Sequence, residues 1–229
     1  MTALPVVILA GGLATRLRPL TGDVPKSLIP IHGEPFLAHQ LRLLRAAGIQ
    51  RVVLCTGYLG DKIRAWLGDG SRFGVRAEYS RDWPVLRGTA GAIRKALPLA
   101  GPRFFVLYGD SYLPCDYGAI QRAFEESGKP ALMTVYANDG QGVPSNVEFA
   151  GGRILCYDKR IRTASMRHID YGLGVFEASA FDDPAADLAV LYQHLLQKGE
   201  LAACEVQERF YEIGSFAGIE ELSNYLKRP

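Results

Sequence analysis

Val6-Val7-Ile8-Leu9-Ala10-Gly11-Gly12-Leu13-Ala14-Thr15-Arg16-Leu17-Arg18-Pro19-Leu20 opens the chain, and Val24-Pro25-Lys26-Ser27 follows closely. The run from Val6 to Ala10 is apolar at every position, as expected of a strand covered on both faces. It delivers the chain to a glycine pair, and glycines let backbone N–H groups come close to a polyphosphate. Arg16 and Lys26 add positive charge there, and phosphate oxygens need both donors and compensating charge. The stretch is neither GxxxxGK[ST] nor GxGxxG. An ordinary strand-to-loop turn flanked by two surface cations is the plainer alternative.

Outward from this point the first 130 residues alternate strand and helix signals. Pro35 suits a first helical position, and Phe36, Leu37, Leu41, Leu44 and Ala47 follow at helical spacing until Gly48. Strands are expected at 51–55, 74–79, 104–108 and 131–136, with helices at 59–67, 89–97 and 117–126 between them. Strands separated by helices imply right-handed crossovers and a mostly parallel sheet. The pattern then changes. Ala150-Gly151-Gly152 between 146–149 and 153–157 predicts a hairpin. A strand at 170–176, a helix at 184–197 with Leu188, Leu191, Leu195 and Leu196 inward, a strand at 201–206 and a helix at 216–226 complete the chain. The fold class read from this is α/β: a Rossmann-like, mostly parallel sheet flanked by helices, carrying a small hairpin-containing lobe.

Composition narrows the function classes. The chain has 229 residues, 48% apolar and 22% charged, which excludes a mostly disordered or collagen-like chain. Its 26 Lys and Arg nearly cancel 24 Asp and Glu, and the basic residues are scattered. No clustered basic footprint for nucleic acid is present, so any work on phosphates is local. Four dispersed cysteines form no CxxC pair, which fits a reducing compartment and a cytoplasmic protein. No apolar run approaches the roughly 18 residues that a spanning helix needs, so no membrane partner is expected. The four histidines show no metal-ligand spacing.

Two further stretches carry chemistry. Phe104-Phe105-Val106-Leu107-Tyr108-Gly109-Asp110-Ser111 puts a carboxylate at the end of a buried strand, where α/β sheets bind ligands. A single Asp there suits Mg²⁺, which keeps waters and borrows phosphate oxygens; a turn or capping role is the alternative. Tyr112 stands where a DxD pair would carry its second acid. Gly88-Thr89-Ala90-Gly91-Ala92 begins a helix with small residues, leaving room for a flat base or an anion. Simple helix capping explains it equally.

Together these motifs resemble the sugar-1-phosphate nucleotidyltransferases, whose signature is LAGGxGTRLxPLT followed by PKP, with LxGD and a GTAG or GTGG stretch further on. The likeness is greatest to mannose- and heptose-1-phosphate guanylyltransferases. Ala14 replaces the usual Gly, Ser27 the usual Pro, and Arg87 a usual apolar residue. The resemblance covers nearly the whole chain and is most specific in the first third. It implies one domain over 1–229, with a nucleotide-binding half at 1–135 and a sugar-binding half at 136–229. Leu9, Ala10, Gly11, Gly12, Gly88, Thr89 and Ala90 would then bind the nucleotide. Arg16 and Lys26 would hold the triphosphate and Asp110 would ligate Mg²⁺.

The second half matches more loosely. Tyr157-Asp158-Lys159 resembles F-x-E-K, implying that Asp158 contacts the sugar and Lys159 the sugar phosphate; an exposed charge pair is the alternative. Asp170 stands in a strand resembling N-x-G-x-Y-x-F, at the position of a sugar-binding Asn, and Gly109 is assigned to the sugar as well. Tyr211-Glu212-Ile213-Gly214-Ser215 resembles D-[IV]-G-T, implying Glu212 as second metal ligand; an acid preceding a helix is the alternative. The implied reaction joins a nucleoside triphosphate, GTP by preference, to a sugar 1-phosphate and releases pyrophosphate. UTP, dTTP or CTP, a phosphocholine-type acceptor, and a non-catalytic nucleotide-sugar-binding homologue are the rival readings. Such enzymes often assemble, implying a homo-oligomer, although no interface stripe is evident.

Overall fold

The computed structural model describes residues 2–12, 22–140 and 142–227. Among them, one main sheet contains β1 (Val6–Ala10), β2 (Arg51–Thr56), β3 (Arg76–Arg81), β4 (Arg103–Tyr108), β5 (Ala131–Ala137), β6 (Val147–Ala150), β7 (Arg153–Tyr157), β8 (His168–Glu177) and β9 (Leu201–Val206). Its order is β7-β6-β8-β4-β1-β2-β3, with β5 pairing β8 and β9. β1, β2, β3 and β4 are mutually parallel, and β9 is parallel to β5. β8 runs antiparallel to both β4 and β5. The sheet is therefore mostly parallel, with one long reversed strand near its middle.

The described residues include six α-helices, α1 (Phe36–Ala46), α2 (Gly60–Leu67), α3 (Gly88–Ala100), α4 (Tyr117–Ser127), α5 (Leu188–Gln197) and α6 (Phe216–Leu226), of which the first five flank the sheet. The central strands read as unbroken apolar runs because each contributes to two cores. Val7, Val53, Cys55, Phe104 and Val106 face one, with Ile93 of α3 and Leu188, Leu191 and Leu195 of α5. Val6, Ile8, Leu54, Phe105 and Leu107 face the other, with Leu37, Leu41 and Leu44 of α1, Ile63 of α2 and Ile120 and Phe124 of α4. Each fully buried side chain of this size contributes about 1.5–3 kcal/mol relative to exposure.

The helix expected at 184–197 is shorter. It starts at Leu188, with the Asp187 carboxylate capping Ala189 N–H, after a 3₁₀ turn at Ala178–Asp182. An Asp at the N-cap satisfies a donor that the helix itself leaves free. Conversely, α3 runs past Leu97 through Pro98 to Ala100. The hairpin is present, and both Gly151 (φ 57°) and Gly152 (φ 74°) take the positive angles its tight turn requires. It is not set apart from the sheet: Val147 pairs with His168 of β8, so β6 and β7 extend the sheet edge.

A third, smaller core holds Ile29, Ile31, Phe36, Tyr112, Ile213 and Leu222, with α6 packed against it. Two short ladders cross this region, Pro30–Ile31 with Glu34–Pro35 and Ser111–Tyr112 with Tyr211–Glu212. The second ladder has functional consequences. No helix among the described residues is long and apolar enough to cross a membrane.

Candidate active site

β1, β2, β3 and β4 end on the same side because they are parallel. The chain moves outward from β1 through β2 to β3, then returns to place β4 on the other flank of β1. At such a reversal the loops diverge and leave a crevice outside the strand ends. A cleft of about 320 Å³ lies there. Leu9, Ala10, Gly11, Gly12, Lys26, Gly88, Thr89, Gly109 and Asp110 all line it. Arg16 lies outside the described residues.

Gly109 has to be a glycine. Its N–H donates to Leu9 O at 3.0 Å, and a Cβ would stand 2.7 Å from that same oxygen. Turning directly after β4 against the end of β1 brings Asp110 to the cleft. There Lys26 Nζ lies 2.5 Å from Asp110 Oδ2, with both side chains partly exposed. Lys26 begins a 3₁₀ turn, Lys26–Leu28, whose neighbour Ser27 is buried in the cleft wall.

Glu212 reaches the same place from the far end of the chain. Glu212 pairs with Ser111, and Ile213 N–H donates to Asp110 O at 2.9 Å. Surrounding protein atoms and the Asp110 carboxylate push the Glu212 carboxyl above its usual range, although solvent still reaches the residue; Lys26 opposes the shift. Glu212 lies outside the cleft lining but beside Asp110, so two carboxylates and one lysine gather at that edge of the cleft. Among the described residues no cluster of three or more His, Cys, Asp or Glu forms a closed metal cage. The donor set present, two hard oxygen ligands beside an open cleft, fits a magnesium-like cation that takes its remaining oxygens from water and phosphate.

The second-half residues form a group beside Tyr108. Lys159 Nζ is 3.3 Å from Asp170 Oδ2 and lies 5.5 Å from the Tyr108 ring centroid. The Asp170 side chain is only 4% exposed. It also accepts from Tyr157 OH at 3.2 Å and from Gly172 N–H at 3.1 Å. Burial works most strongly against the charge on Lys159, but attraction to Asp170 and Tyr108, with hydrogen bonds to both, together outweigh it and raise the lysine's pKa. Asp158 behaves differently. Its Oδ1 accepts from the N–H groups of Arg160 and Ile161, which hold its carboxyl below the usual range. Its carboxylate therefore shapes the turn after β7, while Lys159 faces Asp170.

At the start of α3 the N–H groups of Ala90 and Gly91 donate to Ala186 O, and Thr89 Oγ1 accepts from Leu188 N–H. These donors are engaged by the segment before α5. What the stretch offers the cleft is the surface of Gly88 and Thr89, while Ala90 is fully buried behind them.

Sequence reasoning missed several members of the site. Asp82 follows β3 much as Asp110 follows β4, and lines the cleft while buried against Arg87, at 2.6 Å. Its place directly after a strand was the available signal. Tyr108, the last residue of the buried strand β4, also lines the cleft and backs Lys159. Cys55 also lines the wall, and burial pushes its thiol up to about 12, so it is inert packing. The four histidines make hydrogen bonds to Ser223 O, Ile31 O, Glu205 and Asp183, away from the cleft.

Known proteins carry the same fold and sequence pattern. UTP--glucose-1-phosphate uridylyltransferase of Synechocystis is 29% identical over 192 residues, covering 77% of this chain and 50% of the relative. D-glycero-alpha-D-manno-heptose 1-phosphate guanylyltransferase of Campylobacter jejuni is 29% identical over 213 residues, covering 91% of this chain and 93% of the relative. The crystal structure of HddC from Yersinia pseudotuberculosis superposes with a TM-score of 0.81 at 26% identity, covering 98% of this chain and all of that one. The chain spans about half to three fifths of the length of several other curated relatives it matches. The family description "Nucleotidyl transferase" matches residues 5–142, most of the parallel half of the sheet and its glycine-rich turn, and the chain belongs to that family.

Proposed function

We propose that this protein transfers a nucleotidyl group from a nucleoside triphosphate to a sugar 1-phosphate, releasing pyrophosphate. The observation that carries the reading is the gathering of Asp110, Glu212 and Lys26 at one edge of the strand-end cleft, with Lys159 beyond Tyr108. A sugar 1-phosphate is already an anionic nucleophile, so the site needs no strong general base. Attack in line at the α-phosphorus makes one P–O bond and breaks another, and pyrophosphate leaves. Positioning and charge stabilisation supply such catalysis.

Asp110 and Glu212 would hold Mg²⁺. That ion, when bound, would neutralise charge developing on the phosphate oxygens. The residues do the rest. Lys26, freed from Asp110, would pair with triphosphate oxygens, together with Arg16. Leu9, Ala10, Gly11 and Gly12 would present the first turn to the nucleotide, and Gly88 and Thr89 would leave space for the base. Lys159, kept charged and aimed by Asp170, would steady the incoming phosphate. Asp170 would hold the sugar, with Gly109 leaving it room. GTP is the favoured nucleotide, since the relative matched over 93% of its length is a guanylyltransferase. The uridylyltransferase relative makes UTP the next choice. The reaction would draw on the nucleoside triphosphates of the cytoplasm.

Pyrophosphate release in Mg²⁺, measured across four nucleoside triphosphates, each with a panel of sugar 1-phosphates and choline phosphate, tests this. Release confined to one nucleotide and one sugar phosphate is expected. Activity with choline phosphate alone, or nucleotide-sugar binding without any release, would overturn it.

A further inference from the structure

α1 turns an apolar face inward: Leu37, Leu41 and Leu44 are fully buried against the sheet, and Phe36 in the smaller core beside it. Gln40 lies on that face and is 1% exposed. A buried amide is costly to desolvate unless its polar atoms find partners. The Gln40 Oε1 finds none among the described residues. Its other end does: Nε2 donates to Tyr108 O at 3.3 Å and to Ser111 O at 2.8 Å. A leucine would fill this position without an orphaned acceptor, so the amide's contribution lies in its two donors.

Those two carbonyls bracket Gly109 and Asp110. The remaining backbone bonds of the turn go elsewhere: Gly109 N–H to Leu9 O, and Asp110 O to Ile213 N–H. Ser111, held by Gln40, is the ladder partner of Glu212. One side chain from α1 thus clamps both ends of the turn that carries Asp110 and holds Ser111, the partner of Glu212 in the short ladder. A clamp of this kind fixes a separation that backbone hydrogen bonds alone leave adjustable, and small displacements of charged groups at a reacting centre are expensive in rate.

We propose that Gln40 is a positioning residue that sets the relation between the Asp110 and Glu212 carboxylates, and thereby the protein's affinity for a divalent cation. The proposal deepens the reading of the cleft given above and rests on it. Gln40 touches neither substrate nor cation and acts only through the turn.

The test compares wild type with Gln40→Met and the isosteric Gln40→Glu, using two independent readouts. The first is Mn²⁺ binding followed by electron paramagnetic resonance in the presence of nucleotide, which needs no turnover. The second is pyrophosphate release, with kcat and KM separated. Expected is Mn²⁺ affinity weakened tenfold or more in both variants. A fall of about tenfold or more in kcat should accompany it, with KM for nucleotide within threefold of wild type. Gln40→Glu keeps the shape but a carboxylate cannot donate to two carbonyls, so it reports even if Gln40→Met folds poorly. Variants with wild-type Mn²⁺ affinity, and with a lowered melting temperature as their sole defect, would make Gln40 a packing residue and overturn the proposal. Wild type that binds Mn²⁺ but releases no pyrophosphate defeats the transferase reading alone, because the binding comparison still judges Gln40. Wild type that binds no Mn²⁺ defeats both.

Discussion

Lys26 Nζ lies 2.5 Å from Asp110 Oδ2, so the carboxylate best placed for a cation is met in this structure by a lysine. The two roles exchange without cost to the fold, since a partly exposed pair contributes only about 0–1 kcal/mol. Replacing either residue should therefore leave stability nearly unchanged while removing charge where the reaction needs it. Lys26→Ala and Asp110→Asn are each expected to lower turnover about 10²–10³-fold, by analogy with other preorganised electrostatic sites. Circular dichroism should show an intact fold, and pyrophosphate release should show the loss. Near wild-type turnover in either variant would remove that residue from the mechanism.

Asp170 predicts a different balance between stability and chemistry. It is buried, and Lys159 is its only ion-pair partner among the described residues. Lys159→Ala should destabilise the protein by about 1–3 kcal/mol, the usual result of leaving a buried polar group short of a partner. The double variant Lys159→Ala with Asp170→Asn should recover much of that stability, because the stranded charge is gone. It should recover no activity, and KM for the sugar phosphate should stay raised. Urea unfolding and steady-state kinetics on wild type and the two variants separate the two effects.

Glu212 carries a pH signature. Crowding by protein atoms and the Asp110 charge raise its carboxyl above the ordinary 4.5. The folded state thus holds its proton more tightly than the unfolded state does. Its contribution to stability is present in full below pH 4.5 and is lost as pH rises through the raised value. Glu212→Gln removes that loss. Its melting temperature should exceed that of wild type near pH 7, with the difference shrinking as pH falls towards 4. Turnover should be abolished. A melting profile parallel to wild type between pH 4 and 7 would sink this account.

Gly88 is held where another residue does not fit. Its φ is +76°, and a Cβ would stand 2.4 Å from Ala186 O, a backbone atom with little freedom to move. Gly88→Ala combines left-handed strain, roughly 1–2 kcal/mol, with displacement of the segment that caps α3. We expect a loss of at least about 2 kcal/mol in unfolding free energy and weakened nucleotide binding, measured by thermal melting and calorimetric titration. Gly12→Ala, with open space around the site of its Cβ, serves as the mild control for stability.

Much of the architecture was legible because its signals are local. The unbroken apolar runs of β1, β2 and β4, the spacing of Leu37, Leu41 and Leu44, and Gly151-Gly152 between two strands each report on their own few residues. The same holds for the glycine-rich turn and for Asp110 at a strand end. The boundary of α5 was misread because Pro184 suits a helix start, while Asp187, three residues on, is the actual cap. The reversal of β8 in the middle of the sheet was not legible. β8 lies between β4 and β5 through contacts with residues far away in sequence, and an apolar run looks the same in either direction.

The site divides along the same line. By itself the sequence determined which chemistries were available: the acids Asp110 and Glu212, the cations Lys26 and Lys159, and a turn able to approach phosphate. Only the tertiary structure decided which of them meet. Asp110 and Glu212 are brought together by the ladder of Ser111–Tyr112 with Tyr211–Glu212, two residues on each side and too short to leave any periodicity. Lys159 turns to Asp170, whereas Asp158 is drawn into its own turn. The donors at the start of α3 are taken by Ala186, a residue with no polar side chain to announce the contact. Local patterns encode elements because a side chain's burial repeats with the backbone's own period. Contacts between distant segments carry no such period, so they are settled only when the two cores close on the sheet and bring the strand ends together.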